Sequence, residues 1–100
     1  MIIRGTHRAY MDADTAQSAW LRDDAGPLDL SEYETLTVEV KASGRGKPRL
    51  TLEAQGTEGG ELTFTVTANG ARTRLWPGTF ELFAKGDGTV IYTGLLEVLA

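Results

Sequence analysis

Apolar and polar residues alternate with a period of two through four segments of the chain. Only an extended strand carries every second side chain on one face, so this pattern narrows the possible folds more than any other feature. Leu36, Val38, Val40 and Ala42 alternate with Thr35, Thr37, Glu39 and Lys41. Leu50, Leu52 and Ala54 repeat the pattern, followed by Leu62, Phe64, Val66 and Ala68, and then by Phe80, Leu82 and Ala84. The apolar set of each run is expected to face a core and the threonines, glutamates and lysines to face water.

Chain breakers separate the runs: Gly44-Arg45-Gly46-Lys47-Pro48, Gln55 to Gly60, and Lys85-Gly86-Asp87-Gly88. Each reads as a hairpin connection. Asp87-Gly88 is the strongest turn signal, because both residues tolerate the positive φ of a tight hairpin, and it is expected to join the last two strands. Thr89–Leu99 is apolar on both parities, as in a strand covered on both sides or one bulged near Gly94. Ile2–Tyr10 and Ala16–Asp23 read as two earlier strands around the polar Asp12-Ala13-Asp14-Thr15. Asp24-Ala25-Gly26-Pro27 reads as a turn and Leu28 to Tyr33 as a compact connection returning apolar residues to the core. Asn69–Leu75 reads as one helical turn or an irregular crossing. Seven short strands at about 10-residue spacing predict an all-β, immunoglobulin-like antiparallel β-sandwich.

The length of 100 residues suits one domain, spanning 1–100, with one core. With no cysteine, the chain has neither a disulfide framework nor a thiolate metal site. A net charge of −4 would repel a phosphate backbone over most of the surface, which disfavours nucleic acid as a partner. No apolar run approaches the roughly 18 residues of a membrane span, and Met1 to Gly5 lacks the pattern of a secretory leader, so a cytosolic start and no membrane partner are expected.

Candidate chemistry is sparse. His7 is the single histidine, without neighbours that would complete a metal site or a nucleophile–base pair, and reads as structural. Asp12 and Asp14 form an Asp-x-Asp, but the glycine turn and distal glutamate of a calcium loop are missing, so they read as a solvated acidic loop. The glutamates lie on strand faces and in loops where charges point to water, so neither catalysis nor a cofactor is expected. Arg45, Lys47 and Arg49 cluster in one hairpin whose glycine spacing is not that of a phosphate cradle. They read as a solvated basic turn or as a docking element for an acidic protein patch. Trp20 is expected in the core. Trp76, beside Pro77-Gly78, is expected either there or in the protein-binding surface with Arg45, Lys47 and Arg49.

The order of these signals resembles the N-terminal immunoglobulin-like domain of siphophage baseplate upper proteins and, more broadly, phage and prophage virion structural proteins. Gly26, Pro27, Asp29, Leu30 and Tyr33 match an element that precedes a strand, and Pro77, Gly78 and Phe80 match one that opens the penultimate strand. The resemblance implies a non-enzymatic virion component assembled in the host cytoplasm. Its partners would be the major capsid protein, for a decoration (cement) protein, or tail and baseplate proteins, for an adaptor. A carbohydrate-binding module using Trp76 is the reading from a different class.

Overall fold

The computed structural model describes residues 3–43 and 45–100. Among them, seven strands have four or more residues: β1 (Ile3–Tyr10), β2 (Thr15–Trp20), β5 (Leu36–Lys41), β6 (Leu50–Glu53), β8 (Glu61–Val66), β9 (Gly78–Gly86) and β10 (Thr89–Leu99). Three two-residue strands complete the set, β3 (Arg22–Asp23), β4 (Gly26–Pro27) and β7 (Gln55–Gly56), with a 3-10 turn at Leu30–Glu32 and one helix, α1 (Ala68–Arg74).

The strands form one sheet in the order β1-β10-β9-β5-β6 and another in the order β2-β8-β7. Strands adjacent in sequence thus repeatedly land in opposite sheets. This interleaving, with five strands on one face, is that of a variable-type immunoglobulin-like sandwich, and the chain has that fold. The disulfide and the buried strand tryptophan that often stitch such sandwiches are absent here, since there is no cysteine and neither tryptophan lies on β5. Apolar packing joins the layers instead: Val38, Val40, Leu62, Phe64, Val66, Phe80, Leu82, Leu96 and Val98 are buried in one cluster.

Several expectations are corrected. The sandwich is not wholly antiparallel, because β1 pairs with β10 in parallel from Ile3↔Tyr92 to Tyr10↔Leu99. β1 must cross to β2 in the other sheet at the end where β10 finishes, so both strands run toward that end. The expected strand Ala16–Asp23 breaks at Leu21, whose N–H donates to the Gly60 carbonyl and whose carbonyl accepts from Leu28 N–H, and β3 then folds back on β4. The segment Gln55–Gly60 does not return the chain to the same sheet. After β6 the chain changes layer, and β7 pairs with β8. Ala42 lies beyond the end of β5 and is exposed. The irregularity in β10 falls between Val90 and Tyr92, while Gly94 is regularly paired with both Leu82 and Gly5. Ile2 and Gly44 lie outside the described residues.

The Asp87-Gly88 turn joins β9 to β10 with φ of 50° and 87°, the paired positive values a two-residue hairpin needs. Asp87 is tied back to the rest of the domain, since its carboxylate accepts from Thr35 N–H at 2.9 Å.

Candidate protein interface

The strand registers bring the β5–β6 hairpin, the β1–β2 turn, α1 and the start of β9 to one end of the sandwich. Lys41, at the end of β5, pairs with Glu81 near the start of β9, and Thr15 pairs with Val66, which leads into α1. The helix forms because its termini are satisfied. Thr67 has extended backbone and its hydroxyl accepts from Gly70 N–H at 3.0 Å, while the Asp14 carboxylate accepts from Ala68 N–H at 2.8 Å. Arg72 and Arg74 occupy the last turn, where cations suit the exposed carbonyls. Buried Leu75 ends the helix and anchors it.

Arg45, Lys47 and Arg49 are all exposed, but they are not equivalent. Arg49 leaves the hairpin tip and lies over the Trp76 ring, 4.9 Å from its centroid, with Nε donating to the Arg74 carbonyl at 3.3 Å. The structure thus joins Arg49 and Trp76, two residues 27 positions apart in sequence, into one contact surface and adds Arg74 to it. Trp76 is 45% exposed, and its ring also packs against buried Phe80 with centroids 4.9 Å apart. Arg72 reaches the Met11 carbonyl at 3.4 Å across the β1–β2 turn. Arg72 and Arg74 were not singled out by sequence reasoning. The signal was available, because two arginines spaced by one residue before a Leu-Trp-Pro stop are a basic helix end.

Trp20 is not in the core: it is 65% exposed. β2 points Ala16, Ser18 and Trp20 outward, and the next inward position belongs to Leu21, which is 1% exposed. The Asp14 carboxylate is engaged at the N-terminus of α1, and among the described residues no group of three or more potential metal ligands lies together. His7 is buried, and its Nε2 lies 2.6 Å from the Tyr92 hydroxyl. Its ring meets Phe64 edge-on with centroids 5.6 Å apart. Burial holds the imidazole below its ordinary pKa, with a hydrogen bond accepted by the Gln17 side chain partly offsetting the shift, and burial raises that of Tyr92.

A second surface is the outer face of the five-stranded sheet. Glu81, Phe83, Thr93, Leu95 and Thr6 border a shallow hollow of about 410 Å³ there. Charges surround it: Lys85 and Lys41 both approach Glu39, Arg8 approaches Glu97, and Lys41 lies 5.0 Å from the Phe83 ring centroid. Cations and carboxylates are interspersed here, so the face is nearly balanced in charge, with Glu81 Oε2 buried and lacking a hydrogen-bond partner.

A scan against protein-family models and a search of curated proteins find no match. Among solved structures, the chain is similar to the extracellular domains of the voltage-gated sodium channel β4 subunit, described as parallel homodimers with a role in cell–cell adhesion. Identity there is 11%, coverage 96% of this chain and 91% of that one, and the TM-score 0.43. It is also similar to a structure from work on multimeric cell-adhesive interactions of sodium-channel β subunits, at 10% identity, with 96% and 92% covered and a TM-score of 0.41. The fold assignment stands on the strand order and register of this chain.

Proposed function

We propose that this chain is a non-enzymatic binding domain that docks on an acidic protein surface through its basic end, as a small structural component of a phage particle, a capsid decoration protein. The placement of Arg45, Lys47, Arg49, Arg72 and Arg74 at the end of the sandwich that carries half-exposed Trp76, with Arg49 directly over its ring, in a chain whose net charge is −4, supports the protein-binding part. Arginine and tryptophan are the side chains most enriched where interfaces concentrate their energy. Arg49 is already held against Trp76, so less side-chain freedom is lost on binding. The particle part draws on the resemblance carried by Gly26, Pro27, Asp29, Leu30 and Tyr33 and by Pro77, Gly78 and Phe80. Repetition over a symmetric lattice would turn modest contacts into firm attachment. A tail or baseplate adaptor uses the same end against a different partner. A sugar site at Trp76 is less favoured, because Arg49 and Phe80 already engage its ring.

Co-sedimentation of the purified chain with capsids and with tails, each assembled without it, tests the reading. Replacing Arg45, Lys47 and Arg49 by serine should leave folding within about 1 kcal/mol of the parent, the scale of exposed charge and cation–π contacts, while binding falls. Wild-type binding should also weaken with salt, because exposed charges are screened over about 8 Å at physiological ionic strength. Undiminished, salt-resistant binding of the triple variant would remove the basic end from the interface. Failure of the wild type to bind either particle would count against the virion role.

A further inference from the structure

The basic end has a counterpart. Thr35 bonds to Asp87, Leu30 N–H donates to Thr57 and Leu21 N–H to Gly60, so the turns opposite the helix gather at one end as well. Asp24, Asp29, Glu32, Glu34, Glu58 and Asp87 all lie on those turns, and all are exposed, with Arg22 the cation among them. The helix end carries Arg45, Lys47, Arg49, Arg72 and Arg74, with Asp12 and Asp14 among them, and Asp14 is committed to the N-terminus of α1. The molecule is 39 Å long and at most 26 Å across. The 11-residue β10 accounts for roughly 36 Å of extended chain, so the long axis follows the strands and the two charged ends are its poles. Among the described residues every ion pair lies between them, on the outer face of the five-stranded sheet. Among the described residues, then, the cations of the basic pole and the carboxylates of the acidic pole form no ion pair.

We infer that the acidic pole is a second binding surface whose occupant is the basic pole of another copy of this chain, so that copies associate head to tail. The inference rests on the reading of the basic end as a protein-binding surface and names its partner. A head-to-tail contact uses two different patches, so it leaves a free pole at each end of every dimer. It therefore propagates into rings or open rows rather than stopping at two. A copy attached to a particle by its basic pole would present its acidic pole outward to the next copy. A two-fold contact through the sheet face would be different in kind: it would saturate at a dimer and leave both poles uninvolved.

Sedimentation velocity of the full chain tests this with two variants. One reverses the basic pole (Arg45→Glu, Lys47→Glu, Arg74→Glu) and the other the acidic pole (Asp24→Lys, Glu34→Lys, Glu58→Lys). Asp29 and Asp87 are left in place because their carboxylates accept from the backbone N–H groups of Ser31 and Thr35, and thermal melting confirms that each variant folds. At about 20 mM salt the wild type should form species that grow with concentration, and at about 500 mM association should weaken at least roughly tenfold. Each variant alone should remain monomeric, because its two poles no longer carry opposite charge. Mixing either variant with the wild type should cap the growing species and shorten them. A wild type that stays monomeric at low salt overturns the inference, as does association that survives in both variants or stops at a dimer. Binding of the wild type to a DNA oligonucleotide without self-association would assign the basic pole to polyphosphate and overturn it too. If the chain stays monomeric but its particle binding still depends on Arg45, Lys47 and Arg49, the head-to-tail contact falls while the docking function stands.

Discussion

His7 is the side chain in which burial and titration meet. The folded domain holds its imidazole below the ordinary value of 6.5, so the unfolded chain takes up a proton that the native state resists. This contribution to stability is complete above pH 6.5 and declines as pH falls through and below that value. Urea unfolding at about pH 7.5 and pH 5.5 should show a loss on acidification that is smaller in His7→Gln. An equal loss in the two proteins would place the effect in the carboxylates instead. Tyr92 acts at the other extreme, since its raised pKa means that stability falls as pH climbs above 10. Position decides the fate of the large apolar side chains in the same way. Phe64, 4% exposed between the layers, should cost about 3–5 kcal/mol when replaced by alanine, as a large core truncation does. Trp20→Ala should cost under about 1 kcal/mol, because the indole is mostly in water already. Chemical denaturation of both variants checks the pair, and a larger loss for Trp20 would reverse the assigned faces of β2. The inward set on β8 was legible because its alternation is strict. The place of Trp20 was not, because the alternation of β2 is carried by small and polar residues that do not declare a face.

Among the elements, the parallel pair of β1 and β10 depends on two glycines directly opposite each other. Gly5 and Gly94 are register partners, and Tyr92 lies across them to bring its hydroxyl to His7. A β-carbon on Gly94 would sit 2.8 Å from the Gly5 carbonyl oxygen, a backbone atom that cannot swing aside. Gly94→Ala should therefore destabilise by about 1–3 kcal/mol, the usual scale of overpacking. Thermal melting that left this variant unchanged would mean that the two strands part more easily than their pairing implies. In the sequence Gly94 stands out as an interruption, which is why a bulge there was the natural expectation. What it marks is close approach, visible only once a partner 89 residues away is known. The four alternating strands and the Asp87-Gly88 hairpin could be read locally, since their signals lie within a few residues. Which layer each strand joins could not, because the sheet changes at Leu21 and after β6 depend on distant carbonyls. The candidate site was half legible for the same reason: Arg45, Lys47, Arg49 and Trp76 are conspicuous in the chain, whereas the convergence of Arg72 and Arg74 with them depends on how α1 crosses between the sheets.

At the scale of the whole molecule, charge and topology are separate designs on one frame. Neutralising pairs run along the flank of the five-stranded sheet while the ends keep opposite surpluses, so the field is directional although the net charge is only −4. Topology has a direction as well. β10 lies between β1 and β9 and is the strand that joins them, yet of all the strands it is the last in the chain. On a ribosome adding about 5–20 residues per second, β1 is made first and then waits several seconds to roughly 15 s before its neighbour exists. Until then β1 has no partner in the larger sheet and β9 is open on one side. Closure of the larger sheet thus cannot begin before β10 itself has been made, however early its two neighbours are complete.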